Sequence, residues 1–167
     1  MDDEARGNVD IMTKRHRLKE LLPIMGIGSD RTANQTRGRN SLKAIQTTTA
    51  PVAIGPYSQA IVQGSLLFTS GQLPIDPGTG ELRNSDIVTA ARQVLSNLRA
   101  VLVAGGADMS TVLKTTVFLS DMGSVEAFNS VYAEFFKGTF PARSCIQVAA
   151  LPRGALVEIE AVAARKK

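Results

Sequence analysis

Arg143 lies in the run Ala142-Arg143-Ser144-Cys145-Ile146-Gln147. Strand alternation puts Arg143, Cys145 and Gln147 on one face of it. A guanidinium between apolar neighbours needs a partner, because an unpaired buried charge is expensive. The pattern leaves two partners open. One is an ion pair with Glu158 or Glu160; the other is the carboxylate of a small acid, which the guanidinium fork meets in two places. Glu158 and Glu160 share a face of the last strand, about 7 Å apart, with Val157, Ile159 and Ala161 on the opposite face. They are either a solvated sheet face or the source of a general base that holds a water. Cys145 is either a small core filler or a nucleophile. Tyr57, after Gly55-Pro56, is a loop anchor by default. Ser70-Gly71 ends a strand, where glycine lets backbone approach a ligand closely. Asn129 falls on a helix, at a position that reads as surface.

Other chemistry has little to work with. Cys145 is the only cysteine and His16 the only histidine, far apart in sequence. No internal disulfide, cysteine-rich zinc site or His–Cys pair follows from them. The phosphate-loop, dinucleotide, nucleophile-elbow and zinc-protease motifs are all missing. Catalysis would therefore draw on Arg, Glu, Tyr, Ser, Cys or backbone groups, without a metal or nucleotide in evidence. No run of about 18 apolar residues occurs. The absence of Trp and the 5% aromatic content argue against a base-stacking surface.

The elements that must position these residues begin near Lys43. Residues 43–48 and 58–63 read as strands around a loop, Ala50 to Tyr57, punctuated by Pro51, Gly55 and Pro56. Residues 66–70 read as a buried strand, joined to the preceding one by Gly64-Ser65 as a tight hairpin. Residues 72–81 are a turn region. Asp86 is placed to cap a helix whose apolar face is Ile87, Ala91, Val94, Leu95, Leu98, Val101 and Leu102, ended by Gly105-Gly106. Residues 111–120 read as a central strand. Asp121 or Ser124 would cap a second helix with Val125, Phe128, Val131, Tyr132, Phe135 and Phe136 inward. Residues 142–149 and 155–163 are two last strands around the turn Leu151-Pro152-Arg153-Gly154. The order β-β-β-α-β-α-β-β predicts an α+β domain: a mixed β-sheet with two helices packed on one face. The uncovered face is of the kind that commonly meets another subunit.

Charge divides the chain. Residues 1–43 carry nine Lys/Arg and six Asp/Glu, whereas residues 44–167 carry ten and nine. Residues 1–43 therefore read as an N-terminal extension, either unstructured or a transit peptide, and residues 44–167 as the folded domain. The acidic start Met1-Asp2-Asp3-Glu4 counts against a transit peptide. The compartment expected is the cytoplasm, or a mitochondrion or other organelle if the extension is a targeting signal. The near-neutral domain shows no basic stripe for nucleic acid.

A series of short motifs carries a resemblance across roughly residues 44–164. It runs from Ala53-Ile54-Gly55-Pro56-Tyr57-Ser58-Gln59 through Thr69-Ser70-Gly71-Gln72, Lys114-Thr115-Thr116-Val117 and Phe140-Pro141-Ala142-Arg143-Ser144. It continues through Val148-Ala149-Ala150-Leu151-Pro152-Arg153-Gly154-Ala155 to Glu158-Ile159-Glu160-Ala161. In this order and spacing the chain resembles the YjgF-type Rid family of imine and enamine deaminases. The resemblance implies the YjgF/chorismate-mutase-like fold, assembled as a homotrimer around a central β-barrel with active sites between subunits. It implies hydrolysis of 2-imino acids, which pyridoxal-phosphate dehydratases release, to 2-oxo acids and ammonia. The named activity would be 2-iminobutanoate/2-iminopropanoate deaminase, a metabolite-repair role with no bound cofactor and no metal. By position, Arg143 would bind the substrate carboxylate, with Glu158 and Cys145 as catalytic partners. Tyr57, Ser70, Gly71 and Asn129 would complete substrate binding. A pocket wall of Leu, Val and Phe would favour small side chains.

Two other readings stay open at this point. The same cleft suits a non-catalytic, metabolite-sensing trimer that binds small carboxylates. An RNA-acting relative, a ribonuclease or translation inhibitor, is disfavoured by the domain's charge balance and its lack of histidine.

Overall fold

The computed structural model describes residues 42–166. The predicted N-terminal extension and its possible transit peptide lie, apart from Leu42 and Lys43, outside the described residues. One six-stranded sheet carries two helices. Its strands are β1 (Lys43–Ile45), β2 (Ala60–Gln63), β3 (Leu66–Thr69), β4 (Val112–Leu119), β5 (Ala142–Gln147) and β6 (Val157–Ala164). The helices are α1 (Ile87–Ala104) and α2 (Val125–Phe135).

The sheet order is β1-β2-β3-β6-β4-β5. All neighbours are antiparallel except β4 and β5, which are parallel. α2 supplies the crossover that parallel neighbours require. The sheet is therefore mixed, as predicted. Its last two strands are not neighbours: β4 lies between them, so β5 ends the sheet as an edge strand.

The local signals behave as physical chemistry dictates. Gln63 pairs with Leu66 across the two-residue turn Gly64-Ser65, and Gly64 takes φ +60°, which a glycine adopts without steric cost. Asp86 accepts a hydrogen bond from the Thr89 backbone N–H at 2.8 Å and starts α1. Val94, Leu95, Leu98, Val101 and Leu102 are fully buried along its inner face. Asp121 caps the short 3₁₀ turn Met122–Ser124 that leads into α2, while the Ser124 side chain makes no cap bond.

β1 is shorter than the strand predicted over 43–48. The Gln59 side chain takes over the backbone that would have continued it. Gln59 Oε1 accepts from the Thr47 N–H at 2.7 Å, and its Nε2 donates to the carbonyls of Thr47 and Pro51 at 3.1 and 2.7 Å. A buried amide that bonds loop backbone this way replaces a ladder.

Register fixes which side chains share a face. Val117 sits opposite both Cys145 and Ile159, and Thr115 opposite both Arg143 and Ala161. Val117, Ile159, Thr115 and Ala161 are all buried beneath the helices. Phe118 sits opposite both Ile146 and Glu158, on the other face. Among the described residues no helix covers that second face: Phe68 and Ile146 on it are 42% and 47% exposed.

Candidate active site

The predicted site residues fall into two groups on opposite faces of the sheet. Tyr57, Ser70, Gly71 and Glu158 line one cleft of about 520 Å³. Arg143, Asn129 and Cys145 lie together on the helix-covered face, near the β5 edge. Because neighbouring residues on a strand point to opposite faces, the register alone keeps Glu158 away from Arg143.

The cleft is built where the ladder between β3 and β6 is irregular. Phe68 pairs with Val162 and Gln72 with Ile159, so four steps on one strand face three on the other. The extra residue makes a bulge at Ser70-Gly71, a device that re-aims side chains beside functional sites. Ser70 Oγ donates to the Ser58 carbonyl at 2.7 Å, which ties the bulge to the loop that carries Tyr57. Glu158 folds over Gly71: a Cβ on residue 71 would stand 1.8 Å from Glu158 Oε1. With a Cβ at residue 71 the carboxyl would have to leave this position. Burial, and then the charge of Glu160, raise the Glu158 pKa above the ordinary carboxylate range. A carboxyl shifted that way is better matched to moving protons near neutral pH.

Two buried amides hold the cleft's walls. Gln59 pins the loop at Thr47 and Pro51, as described above. Asn97 of α1 donates to the carbonyls of Leu73 and Ile75 at 2.9 and 2.8 Å. The apolar lining is Val52, Ile54, Leu73, Ile75 and two prolines. Within one chain no phenylalanine lines it, and apart from Tyr57 its apolar wall is aliphatic. Arg153 stands at the rim in the left-handed region at φ 59°, with Nη1 donating to the Gly80 carbonyl at 3.1 Å. A non-glycine residue in that region is strained and clusters at functional sites.

In the second group, Arg143 Nη1 donates to Asn129 Oδ1 at 2.8 Å. Within one chain the alternative of an ion pair with Glu158 or Glu160 is overturned. Those carboxylates lie on the opposite face, and the ion pairs found among the described residues join other side chains. Cys145 is half-buried beside it. Burial holds its thiol pKa above the ordinary value, and the Arg143 charge opposes this only in part. A thiol kept protonated is a poor nucleophile, so the core-filling role fits this geometry better than the nucleophilic one. Among the described residues no cluster of three His, Cys, Asp or Glu side chains is placed to hold a metal ion.

Sequence reasoning missed Gln59, Asn97 and Arg153. Asn97 left a trace: it interrupts the apolar spacing Val94-Asn97-Val101. Gln59 left none, since only the folded loop shows what its amide grips. Arg153 was seen only as a turn residue.

The fold and site define an α+β domain with a two-helix layer, a bulged cleft over a carboxyl of raised pKa, and a separate arginine on the opposite face of the sheet. The chain belongs to the endoribonuclease L-PSP family, the YjgF/Rid proteins, which matches residues 47–165. It is 54% identical over 121 residues to the RutC family protein y4sK of Sinorhizobium fredii, covering 72% of this chain and 96% of that one. It is 50% identical over 121 residues to the 2-iminobutanoate/2-iminopropanoate deaminase of Mus musculus, covering 72% and 90%. The crystal structure of E. coli TdcF with bound serine matches at TM-score 0.71 and 45% identity, covering 74% of this chain and 99% of that one. The family therefore includes deaminases of reactive imines, and the two-helix α+β fold is the family's own.

Proposed function

We propose that the protein hydrolyses small 2-imino acids, and the enamines that tautomerise to them, to 2-oxo acids and ammonia. The active unit is a homotrimer, and each cleft is completed by a second copy of the chain. The observation that carries this is the pair of half-sites. A guanidinium without a carboxylate partner lies on one face, and a cleft with a pKa-raised carboxyl lies on the other. Neither half suffices alone. Among the described residues the Arg143 half-site stands beside an edge strand with no further neighbour, and such an edge and an uncovered sheet face both suit another copy.

The chemistry fits the residues. A protonated imine is already electrophilic at its C=N carbon. Arg143 clamps the substrate carboxylate with a charge-assisted bidentate bond, which fixes its position and lowers the entropic barrier. Glu158 takes a proton from water as the oxygen adds to that carbon, giving a carbinolamine. It then returns that proton to the nitrogen, and as the C–N bond breaks and ammonia leaves it takes the hydroxyl proton, so that the 2-oxo acid forms. Atoms balance: imino acid and water in, oxo acid and ammonia out. The serine bound by TdcF is itself a small molecule with a carboxylate. The aliphatic wall suits short side chains such as those of 2-iminobutanoate and 2-iminopropanoate.

Coupled turnover tests the reading. Threonine dehydratase and threonine supply 2-iminobutanoate, and 2-oxobutanoate formation is followed against the spontaneous rate. Acceleration by the wild-type chain and none by Arg143→Ala is the expected result. Acceleration by neither would overturn it in favour of a trimer that senses small carboxylates without turnover.

A further inference from the structure

The Arg143 guanidinium lies over the Tyr132 ring, with Cζ 4.8 Å from the ring centroid, and 6.0 Å from that of Phe128. The two rings stand one helical turn apart on the inner side of α2. Phe136 continues the row, its centroid 4.4 Å from that of Tyr132. Tyr132 is 4% exposed, and its hydroxyl bonds to Thr115 Oγ1 at 2.7 Å. Thr115 is itself buried and sits opposite Arg143 in the β4–β5 register. The contacts thus close a circuit: Arg143 to Tyr132, Tyr132 to Thr115, and Thr115 beside Arg143.

The reading above needs a guanidinium fixed in plane and direction. Arg143 is exposed on an edge strand, and a single hydrogen bond to Asn129 leaves its plane free to swing. An aromatic face removes that freedom, because it takes the flat side of the guanidinium and leaves the N–H edge open. We infer that Tyr132 is a positioning residue. Its ring sets the plane of the Arg143 fork toward the substrate carboxylate, and Thr115 tethers the ring. Burial raises the phenol pKa, so the hydroxyl stays protonated and keeps its partner. This inference rests on Arg143 being the carboxylate clamp, as the deaminase reading assigns.

The test is titration of the full chain with 2-oxobutanoate, followed by NMR so that millimolar binding is read, with thermal unfolding to check the fold. Tyr132→Leu is expected to weaken binding by ~3- to ~10-fold, the range of a partly desolvated cation–ring contact. In an Arg143→Ala background the same substitution is expected to cost nothing further. Tyr132→Phe keeps the ring and loses only the tether, so it should match Thr115→Val, each weakening binding by ~2- to ~5-fold. If Tyr132→Leu does not fold, these two variants carry the test by the same dependence on Arg143. Full affinity in a folded Tyr132→Leu chain would overturn the inference. So would an equal loss with and without Arg143, or a wild-type chain that binds no 2-oxobutanoate. Coupled turnover on the same proteins separates the two readings. Turnover by wild type with no effect of Tyr132 sinks only the positioning role. Arg143-dependent binding effects without turnover sink only the deaminase.

Discussion

The Glu158 carboxyl pulls in two directions. Half-buried over Gly71 and close to Glu160, it holds its proton to higher pH than a free carboxyl does. The unfolded chain gives up that proton first. Between the ordinary carboxylate value and the raised one, the folded state therefore binds more protons, and stability falls as pH rises through that window. Glu158→Gln removes the penalty. Thermal unfolding should show the variant more stable than wild type at neutral pH and equal to it well below pH 4. Turnover in the dehydratase-coupled assay should fall by roughly 10²-fold, the usual size of a general acid–base contribution. A variant that kept full turnover would remove Glu158 from the chemistry. Gly71→Ala should act on the same carboxyl from beneath, because its Cβ occupies the place of Oε1. Activity should drop in a chain that still folds. Cys145→Ser should keep most of its turnover, since burial denies the thiol its reactive, ionised form.

At the scale of elements, the cleft depends on two amides that bind backbone. Asn97→Leu leaves the carbonyls of Leu73 and Ile75 without their donor. Such a loss costs about 1–3 kcal/mol per buried group. Urea unfolding should register that loss, and KM should rise because the wall it holds lines the cleft. The helices were legible in the sequence, since the spacing from Ile87 to Leu102 and from Val125 to Phe136 repeats one buried face, and Asp86 and Gly105 mark the ends of α1. The hairpin at Gly64 was legible for the same kind of reason: a local conformation demands a residue type. Strand order was not. That β6 inserts between β3 and β4 is decided by long-range pairing, which leaves no mark on spacing within a strand. The early end of β1 was hidden too, because its cause is a side chain twelve residues away. The candidate site residues were picked out through motif order, yet their division between two faces appeared only once register was known.

At the scale of the whole molecule, that division becomes a prediction about assembly. Arg143 and Glu158 point from opposite faces of one sheet. A cleft holding both must then draw them from different copies. Arg143→Ala and Glu158→Gln chains should each be inactive alone, yet restore one another when unfolded together and refolded as mixed trimers. In a closed ring each cleft takes Arg143 from one subunit and Glu158 from its neighbour. An equal mixture then rebuilds about a quarter of the clefts with both native residues. Refolding the two variants separately before mixing should restore nothing if trimers, once closed, do not exchange subunits. Recovery of about a quarter of wild-type turnover in the co-refolded sample, alongside a trimeric mass in sedimentation, is the expected outcome. If co-refolding restores no activity while trimers form, each chain must carry its own complete site. The uncovered face with Phe68 and Ile146 would then serve assembly alone, and the Arg143 edge would have to reach Glu158 by a movement within a single subunit.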